Sequence, residues 1–159
     1  WRPNAFAGRI GDGWLADPMQ SLDVIKNYAA QHRSKAIEHG RKPHVILMRD
    51  CVVGDSWGEC VGKSNPTMHM HRFYFKNGAY ILDRHLNNVK SSNDLTFDIL
   101  SKERFIAGSA AQCVEQIQIW NEVIQPDYLM LRMRQPGGPP QAEALSDIKR
   151  FADNIIPNI

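Results

Sequence analysis

Apolar and polar residues along the first third of the chain follow two different periods. Between residues 21 and 40, apolar side chains recur every three or four positions, which predicts an amphipathic helix. Ser21 is suited to cap its start and Gly40 to end it. Residues 44–53 instead form a continuous apolar run rich in β-branched side chains, as parallel strands covered on both faces do. A shorter apolar stretch at 10–16 predicts a buried strand ahead of the helix.

The last third of the chain repeats this alternation. Residues 109–124 predict a helix, because Ser109 and Gln112 match a capping box and an apolar stripe follows. A strand is predicted at 127–134 and a final helix at 141–156. The order strand, helix, strand, helix, strand, helix predicts an α/β fold of parallel βαβ units.

Residues 54–104 interrupt this order with about fifty residues of weaker periodicity. Segments of that length inside a compact domain are usually functional or carry structure of their own. We predict a helix at 66–80 within it, with four large apolar side chains as candidates for burial: Met68, Phe73, Phe75 and Tyr80. The chain is therefore expected to be one domain over residues 1–159, with 54–104 as an insertion.

The charge pattern narrows the class of partner. The 159 residues carry a net charge of +2, and the basic and acidic residues are scattered, which disfavours nucleic acid or an anionic membrane surface. No apolar run reaches the roughly 18 residues of a membrane span, and the start has no signal-peptide core, so a cytoplasmic location is predicted. Cys51, Cys60 and Cys113 are odd in number and irregularly spaced, which favours reduced thiols. A small-molecule substrate is the expected partner.

Several common catalytic motifs are absent from the sequence. It has no Gly-x-Gly-x-x-Gly, no Gly-x-Ser-x-Gly and no His-Glu-x-x-His, which disfavours a Rossmann dehydrogenase, a serine hydrolase and a zincin. Gly137 and Gly138 are flanked by prolines and predict a rigid turn rather than a phosphate loop.

Five segments, taken in order, resemble the C-terminal half of the bacterial luciferase family of flavin-dependent monooxygenases. None is specific alone; their order and spacing carry the resemblance, which spans nearly the whole chain. The segments are 9–14, the strand 45–53 with Arg49 and Asp50, the helix entry 105–109, the strand 127–132 and the closing 151–157.

The resemblance implies a partial (β/α)₈ barrel. The three predicted strands would be the sixth, seventh and eighth of the barrel, with the insertion near the active site. A complete barrel needs about 250 residues, so the first five strands are expected to lie outside this chain. The barrel-facing side of the sheet would then be uncovered. We expect the missing N-terminal half to come from another chain, self-association to replace it, or the chain to be a truncated product.

The family also implies a reaction. Reduced FMN, supplied by a separate flavin reductase, would react with dioxygen to oxidise a small organic substrate. Relatives with the same barrel use a deazaflavin for hydride transfer instead. Two alternatives stay open: a non-catalytic half barrel that self-associates, and an unrelated α/β enzyme that is a stable monomer.

In such barrels the site lies at the C-terminal ends of the strands. Trp14 could stack near the flavin ring, Arg132 could hold an anionic group or stabilise charge on the reduced flavin, and Arg2 could be a remnant of a phosphate-binding loop. The competing interpretations are a core tryptophan for Trp14 and a structural ion pair with Asp50 or another carboxylate for Arg132.

Three further residues are candidates for the substrate side or a lid. Arg49 precedes Asp50, and the two should point to opposite faces of the strand, where a salt bridge is the competing interpretation. His69 and His71 lie two apart, a spacing that suits metal ligands on a strand but not on the predicted helix. No third ligand follows at a suitable spacing, so no metal is predicted. The catalytic residue is left unassigned.

Overall fold

The computed structural model describes residues 3–80 and 86–159 of the chain. Helices and strands alternate along most of this part, with three helices grouped in the insertion. In chain order the elements are α1 (Pro3–Ile10), β1 (Trp14–Ala16), α2 (Leu22–Glu38), β2 (Val45–Val53), α3 (Trp57–Lys63), α4 (Asn65–Lys76), α5 (Phe97–Ser101), β3 (Phe105–Gly108), α6 (Ala110–Ile124), β4 (Tyr128–Arg132) and α7 (Gln141–Asn154), followed by a 3₁₀ turn at Ile156–Asn158.

β2 is the central strand of a four-stranded parallel sheet. β1 pairs with its first residues, β4 pairs along its middle, and β3 pairs with its last four residues. Ile46 has partners in both β1 and β4, and Asp50 has partners in both β3 and β4. β4 therefore follows one edge of β2, while β1 and β3 lie one after the other along the opposite edge. The predicted parallel βαβ arrangement is confirmed.

β3 corrects the expectation that residues 105–109 only begin a helix. The segment is a short, fully buried strand, and its length of four residues is too small for a periodic signal. Its outer edge is completed by a side chain, because Ala107 donates its N–H to Gln116 Oε1 at 2.8 Å and accepts from Gln116 Nε2 at 2.9 Å. The capping box of Ser109 and Gln112 at the start of α6 is confirmed.

Helices α2, α6 and α7 cover one side of the sheet, called here the outer face. Alternate strand residues, among them Val45, Leu47 and Val53, are buried against these helices. Arg49 lies in the same layer, with its guanidinium carbon 3.9 Å from the centre of the Trp120 ring. All three cysteines are buried free thiols, as predicted.

The opposite side of the sheet, the inner face, is covered over only half its length. At the carboxyl ends of β2 and β3 the insertion helices bury an apolar cluster: Val52, Cys60, Met68, Tyr80, Leu86, Leu95, Phe97, Leu100, Phe105 and Ala107. Towards the start of the strands the side chains are open, with Leu15 45%, Tyr128 65% and Met130 45% exposed. Ile46 and Met48 beside them are half-buried. The expected uncovered surface is present on this part of the inner face.

Some predicted core positions are exposed instead. Phe73 on α4 is 55% exposed, although Met68 and Tyr80 are buried as expected. On α7, Ala144 and Phe151 are buried, while the apolar side chains of Leu145 and Ile148 are exposed. No helix in the described part of the chain is long and apolar enough to cross a membrane.

Candidate functional site

A buried carboxylate, that of Asp50, is the centre of a polar cluster on the inner face. The parallel register places Arg132 beside it on β4, so both side chains point the same way. Arg132 donates from Nε to Oδ1 at 3.0 Å and from Nη2 to Oδ2 at 2.8 Å. Gln135 Nε2 donates to Oδ1 at 2.6 Å, and His71 Nε2 lies 2.6 Å from Oδ2. Each carboxylate oxygen therefore has two partners, which compensates the cost of burying the charge.

His71 links this cluster to the insertion. Its Nδ1 is hydrogen-bonded to the hydroxyl of Tyr80, a buried residue just after α4. The imidazole also packs edge-on against Phe105, with ring centres 4.9 Å apart, and against Tyr74 at 5.8 Å. An imidazole protonated on Nε2 donates to Asp50 and accepts from Tyr80, so one neutral tautomer satisfies both contacts. A series of hydrogen bonds, Tyr80–His71–Asp50–Arg132, thus connects the insertion to the edge strand β4.

The charged groups in the cluster stabilise one another in their ionised forms. Burial alone would raise the pKa of Asp50, but the hydrogen bonds from His71 and Arg132 outweigh it and hold this pKa below its usual value. Burial lowers the pKa of Arg132, yet the hydrogen bonds and charge of Asp50 raise it overall. Burial also raises the pKa of the Tyr80 hydroxyl, which therefore keeps its proton to donate to His71. Asp50 and Arg132 are an ion pair at neutral pH.

Two buried arginines fix the loop that follows β1. Arg49 donates to the carbonyl of Asp17 at 2.9 Å and to that of Gln20 at 3.4 Å. Arg104 Nε donates to the carbonyl of Met19 at 2.8 Å. Desolvation lowers the pKa of Arg49 to about 9, so it remains protonated at neutral pH. This loop, at the carboxyl end of β1, is held by its backbone carbonyls.

The structure separates the residues that the sequence grouped as cofactor-binding. Arg132 lies on the inner face with 23% of its side chain exposed, and it forms the ion pair with Asp50 that was the competing interpretation of this residue. Trp14 lies on the outer face, only 9% exposed, in edge contact with Tyr28 at 6.3 Å between ring centres. Trp14 and Arg132 do not come together. Arg2 lies outside the described residues.

The substrate and lid candidates also diverge. Arg49 is on the outer face and fully buried, as is His71 on the inner side. His69 is exposed and borders an open cavity of about 400 Å³ between α4 and the loop after β4. The cavity is lined by Asn65, Pro66, His69, Met70, Pro136 and Gly137. Within residues 3–80 and 86–159, no three histidine, cysteine or carboxylate side chains are grouped to hold a metal ion.

The sequence did not point to the contacts of Asp50 with His71 and Gln135, nor to the hydrogen bond from Tyr80. One signal was available: Asp50 interrupts an apolar run, and a carboxylate in a covered strand needs partners. A second was the spacing of His71 from Met68, three residues along the helix, which places both on the buried side of α4. Neither signal identifies which donors meet Asp50.

No model of a known protein family matches the chain, and no curated protein sequence matches it. Its structure, however, is similar to solved structures over almost its whole length. One is a type II Baeyer–Villiger monooxygenase, the oxygenating constituent of 3,6-diketocamphane monooxygenase from the CAM plasmid of Pseudomonas putida, in complex with FMN. The TM-score is 0.66 at 15% identity, covering 98% of this chain and 45% of that one.

Two further structures show the same relationship. The coenzyme F420 dependent tetrahydromethanopterin reductase from Methanopyrus kandleri gives a TM-score of 0.67 at 16% identity, covering 97% of this chain and 47% of that chain. A monooxygenase from Streptomyces bottropensis gives 0.64 at 17% identity, covering 97% and 44%.

These comparisons establish the fold. The chain is a mixed α/β structure with a parallel sheet, and its fold matches part of each of these three enzyme structures. It spans less than half the length of each of the three chains described. At such low identity the likeness concerns the fold alone.

Proposed function

We propose that this chain forms part of a flavin- or deazaflavin-dependent oxidoreductase built on a (β/α)₈ barrel, with the inner face as part of the barrel wall. The observation that carries the proposal is the position of Arg132. It is the last residue of β4, on the inner face, partly exposed and adjacent to the uncovered apolar surface. Ligands of barrel enzymes bind at this end of the strands.

The residues present fit a flavin-type ring. Such a ring needs an apolar wall and a few fixed polar groups. Met48 and Met130, one inner-face position before Asp50 and Arg132, supply an apolar surface beside the guanidinium. The Arg132 guanidinium, whose orientation Asp50 fixes, supplies a donor that can hold an anionic group or stabilise negative charge on a reduced ring. Trp14 and Arg49 lie on the other face, so contact of Trp14 with the ring stays a prediction, as does the role of Arg2.

When bound, a reduced flavin would supply electrons for oxidation of a small organic substrate by dioxygen, and a deazaflavin would supply hydride transfer. The chain's own residues would bind and orient the cofactor. Arg132 would contact the polar edge of the ring, and the apolar inner face would pack against the ring. The insertion would exclude water from one end of the site. The cavity bordered by His69 is the proposed entry for substrate. For the monooxygenase, a separate flavin reductase is the proposed source of reduced FMN. Similar structures include both an FMN complex and an F420 dependent reductase.

The open part of the inner face supports a second element of the proposal. Tyr128 and Met130 are large, apolar and exposed on a sheet whose carboxyl half is covered. We propose that further βα units, on the same or another polypeptide, cover this surface and complete the barrel. Without them, the purified chain would self-associate through it. The alternative hypothesis, a non-catalytic half barrel that self-associates, is supported by the same exposed surface, but it predicts that the chain binds no flavin.

Equilibrium titration of the purified chain with FMN and with coenzyme F420, followed by ligand fluorescence, tests the proposal. We expect saturable binding of one of the two, weakened at least about tenfold in Arg132→Ala, because a charge-assisted hydrogen bond is lost. Arg134→Ala is the matched control. Arg134 is exposed and donates to the Pro139 carbonyl, so its loss should leave affinity unchanged. Absence of binding to either ligand would overturn the proposal.

A further inference from the structure

We infer that His71 is a positioning residue for Arg132: acting through Asp50, it makes the seating of the insertion a condition for the orientation of the guanidinium. The inference rests on the proposed function for what Arg132 binds. The network itself is independent of any ligand.

Exposure assigns the roles within the network. The side chains of His71 and Asp50 are fully buried, whereas that of Arg132 is 23% exposed. A ligand on the inner face can therefore reach Arg132 but neither of the other two. His71 can influence such a ligand through Asp50, while Tyr74, which packs against the imidazole, is hydrogen-bonded to Arg132 itself.

The arrangement of contacts shows how that influence is transmitted. Oδ2 of Asp50 is shared by Arg132 Nη2 and His71 Nε2, while Oδ1 is shared by Arg132 Nε and Gln135 Nε2. Gln135 lies three residues after Arg132 on the same segment, so among the donors to Asp50 only His71 belongs to the insertion. Without its donor, Oδ2 keeps one partner and the carboxylate plane loses its restraint from the insertion side. The guanidinium, which follows that plane through two parallel bonds, would lose orientation with it.

His71 is itself firmly held. The hydroxyl of Tyr80 fixes one ring nitrogen, and Phe105 and Tyr74 pack against the ring. Because Tyr80 and Tyr74 belong to the insertion and Phe105 to β3, the imidazole reaches its position only when α4 is seated on the sheet. The insertion and the exposed guanidinium are thus coupled through the hydrogen bond of His71 to Asp50, in addition to the direct hydrogen bond between Arg132 and Tyr74 of α4.

Two substitutions distinguish the roles of the two ring nitrogens of His71. His71→Gln places an amide nitrogen near the position of Nε2 and keeps a donor to Asp50. His71→Asn retains a polar group near Nδ1 and removes that donor. Exchange of the Arg132 Nε–H with water, measured by NMR on the ligand-free chain, reports the guanidinium directly. We expect exchange in His71→Asn to be about tenfold faster than in the wild type, and His71→Gln to stay close to the wild type.

A control and a second readout complete the test. Tyr80→Phe loosens the same region but leaves the donor to Asp50, so its exchange rate should remain near the wild-type value. Flavin affinities should give a non-additive cycle, in which His71→Asn weakens binding in the wild-type background and has no effect in the Arg132→Ala background. Equal exchange rates in His71→Asn and His71→Gln, or additive effects on affinity, would overturn the inference. If the wild type binds no flavin, the proposed function fails while the exchange rates still decide the role of His71.

Discussion

Arg132 and Asp50 are register partners on neighbouring strands, and their side chains meet in a two-point ion pair, with Nε–Oδ1 at 3.0 Å and Nη2–Oδ2 at 2.8 Å. The pair joins β2 to β4 at the boundary between the covered and uncovered halves of the inner face. It therefore links three features of the molecule: the stability of the sheet, the attachment of the insertion through His71 and the polar edge of the proposed binding surface.

Removing the carboxylate should destabilise the chain strongly. Asp50→Ala leaves a half-buried guanidinium, an amide and an imidazole without their acceptor, and breaking a buried pair in this way costs about 3–5 kcal/mol. Urea unfolding followed by circular dichroism measures it. The control is Asp55→Ala, which removes a largely exposed carboxylate paired with Arg150 and should change the free energy of unfolding by less than about 1 kcal/mol. Equal losses in the two variants would contradict the central role of Asp50.

The ion pair also predicts how stability depends on pH. The pKa of Asp50 is lowered in the folded chain, so its ionised form stabilises the fold fully above its unfolded pKa of about 3.9. That contribution is lost as the pH falls through the lower folded pKa. The difference in unfolding free energy between the wild type and Asp50→Asn should therefore be constant near neutrality and shrink below about pH 4. Since the other carboxylates titrate in both proteins, their effects cancel, and a difference unchanged down to pH 3 would argue against the assignment.

The three thiols should be unreactive while the chain is folded. Burial raises the pKa of Cys113 to about 12 and also raises those of Cys51 and Cys60, so little thiolate forms at pH 8. Labelling with a disulfide reagent should be slow in buffer and should reach all three thiols in denaturant. Rapid labelling of one thiol in the native chain would show that its surroundings open readily.

The uncovered surface should control association. Met130 is 45% exposed on the inner face, and Ile119 is 44% exposed on α6, which makes them a matched pair for the same substitution. We expect Met130→Lys to shift the purified chain towards the monomer in sedimentation velocity, since a charge at that position opposes apolar contact. Ile119→Lys should leave the distribution unchanged. A wild type that stays monomeric at high concentration would contradict the proposed role of this surface.

The regular elements were predictable because their signals are local. The apolar period predicted α2 and α6 and the β-branched run predicted β2, and the structure confirms these three elements. The capping box of α6 is present, but Ser21 at the start of α2 donates to Asp23 and makes no side-chain capping bond. The sequence did not predict β3 because four residues are too few to show a periodic pattern. The backbone N–H and carbonyl of Ala107 on its outer edge are hydrogen-bonded to the Gln116 side chain of the next helix. Phe73 was expected in the core, yet the buried side of α4 is set by the sheet beneath it rather than by hydrophobicity alone.

The site was predictable only in part. Arg132 was identified from its position at a strand end and from the family resemblance, and its ion pair with Asp50 was the competing interpretation. The contact between His71 and Asp50 joins positions 21 apart in sequence, and that of Gln135 with Asp50 joins positions 85 apart. Such pairs depend on how the insertion packs on the sheet, which no local pattern encodes. Trp14 was expected at the carboxyl end of a strand over 10–16, but it is the first residue of β1 because residues up to Ile10 belong to α1. The face on which its side chain lies is fixed by register with Val45.

The most direct test of the proposed function is an NMR measurement of which residues a bound flavin contacts. Methionine methyl groups labelled with ¹³C report separate places: Met48 and Met130 on the inner face, and Met68 inside the insertion core. We predict that saturating FMN or coenzyme F420 shifts the Met48 and Met130 signals and leaves that of Met68 in place, and that Arg132→Ala needs at least about tenfold more ligand for the same shifts. Unchanged Met48 and Met130 signals at saturating concentrations of both ligands would contradict it.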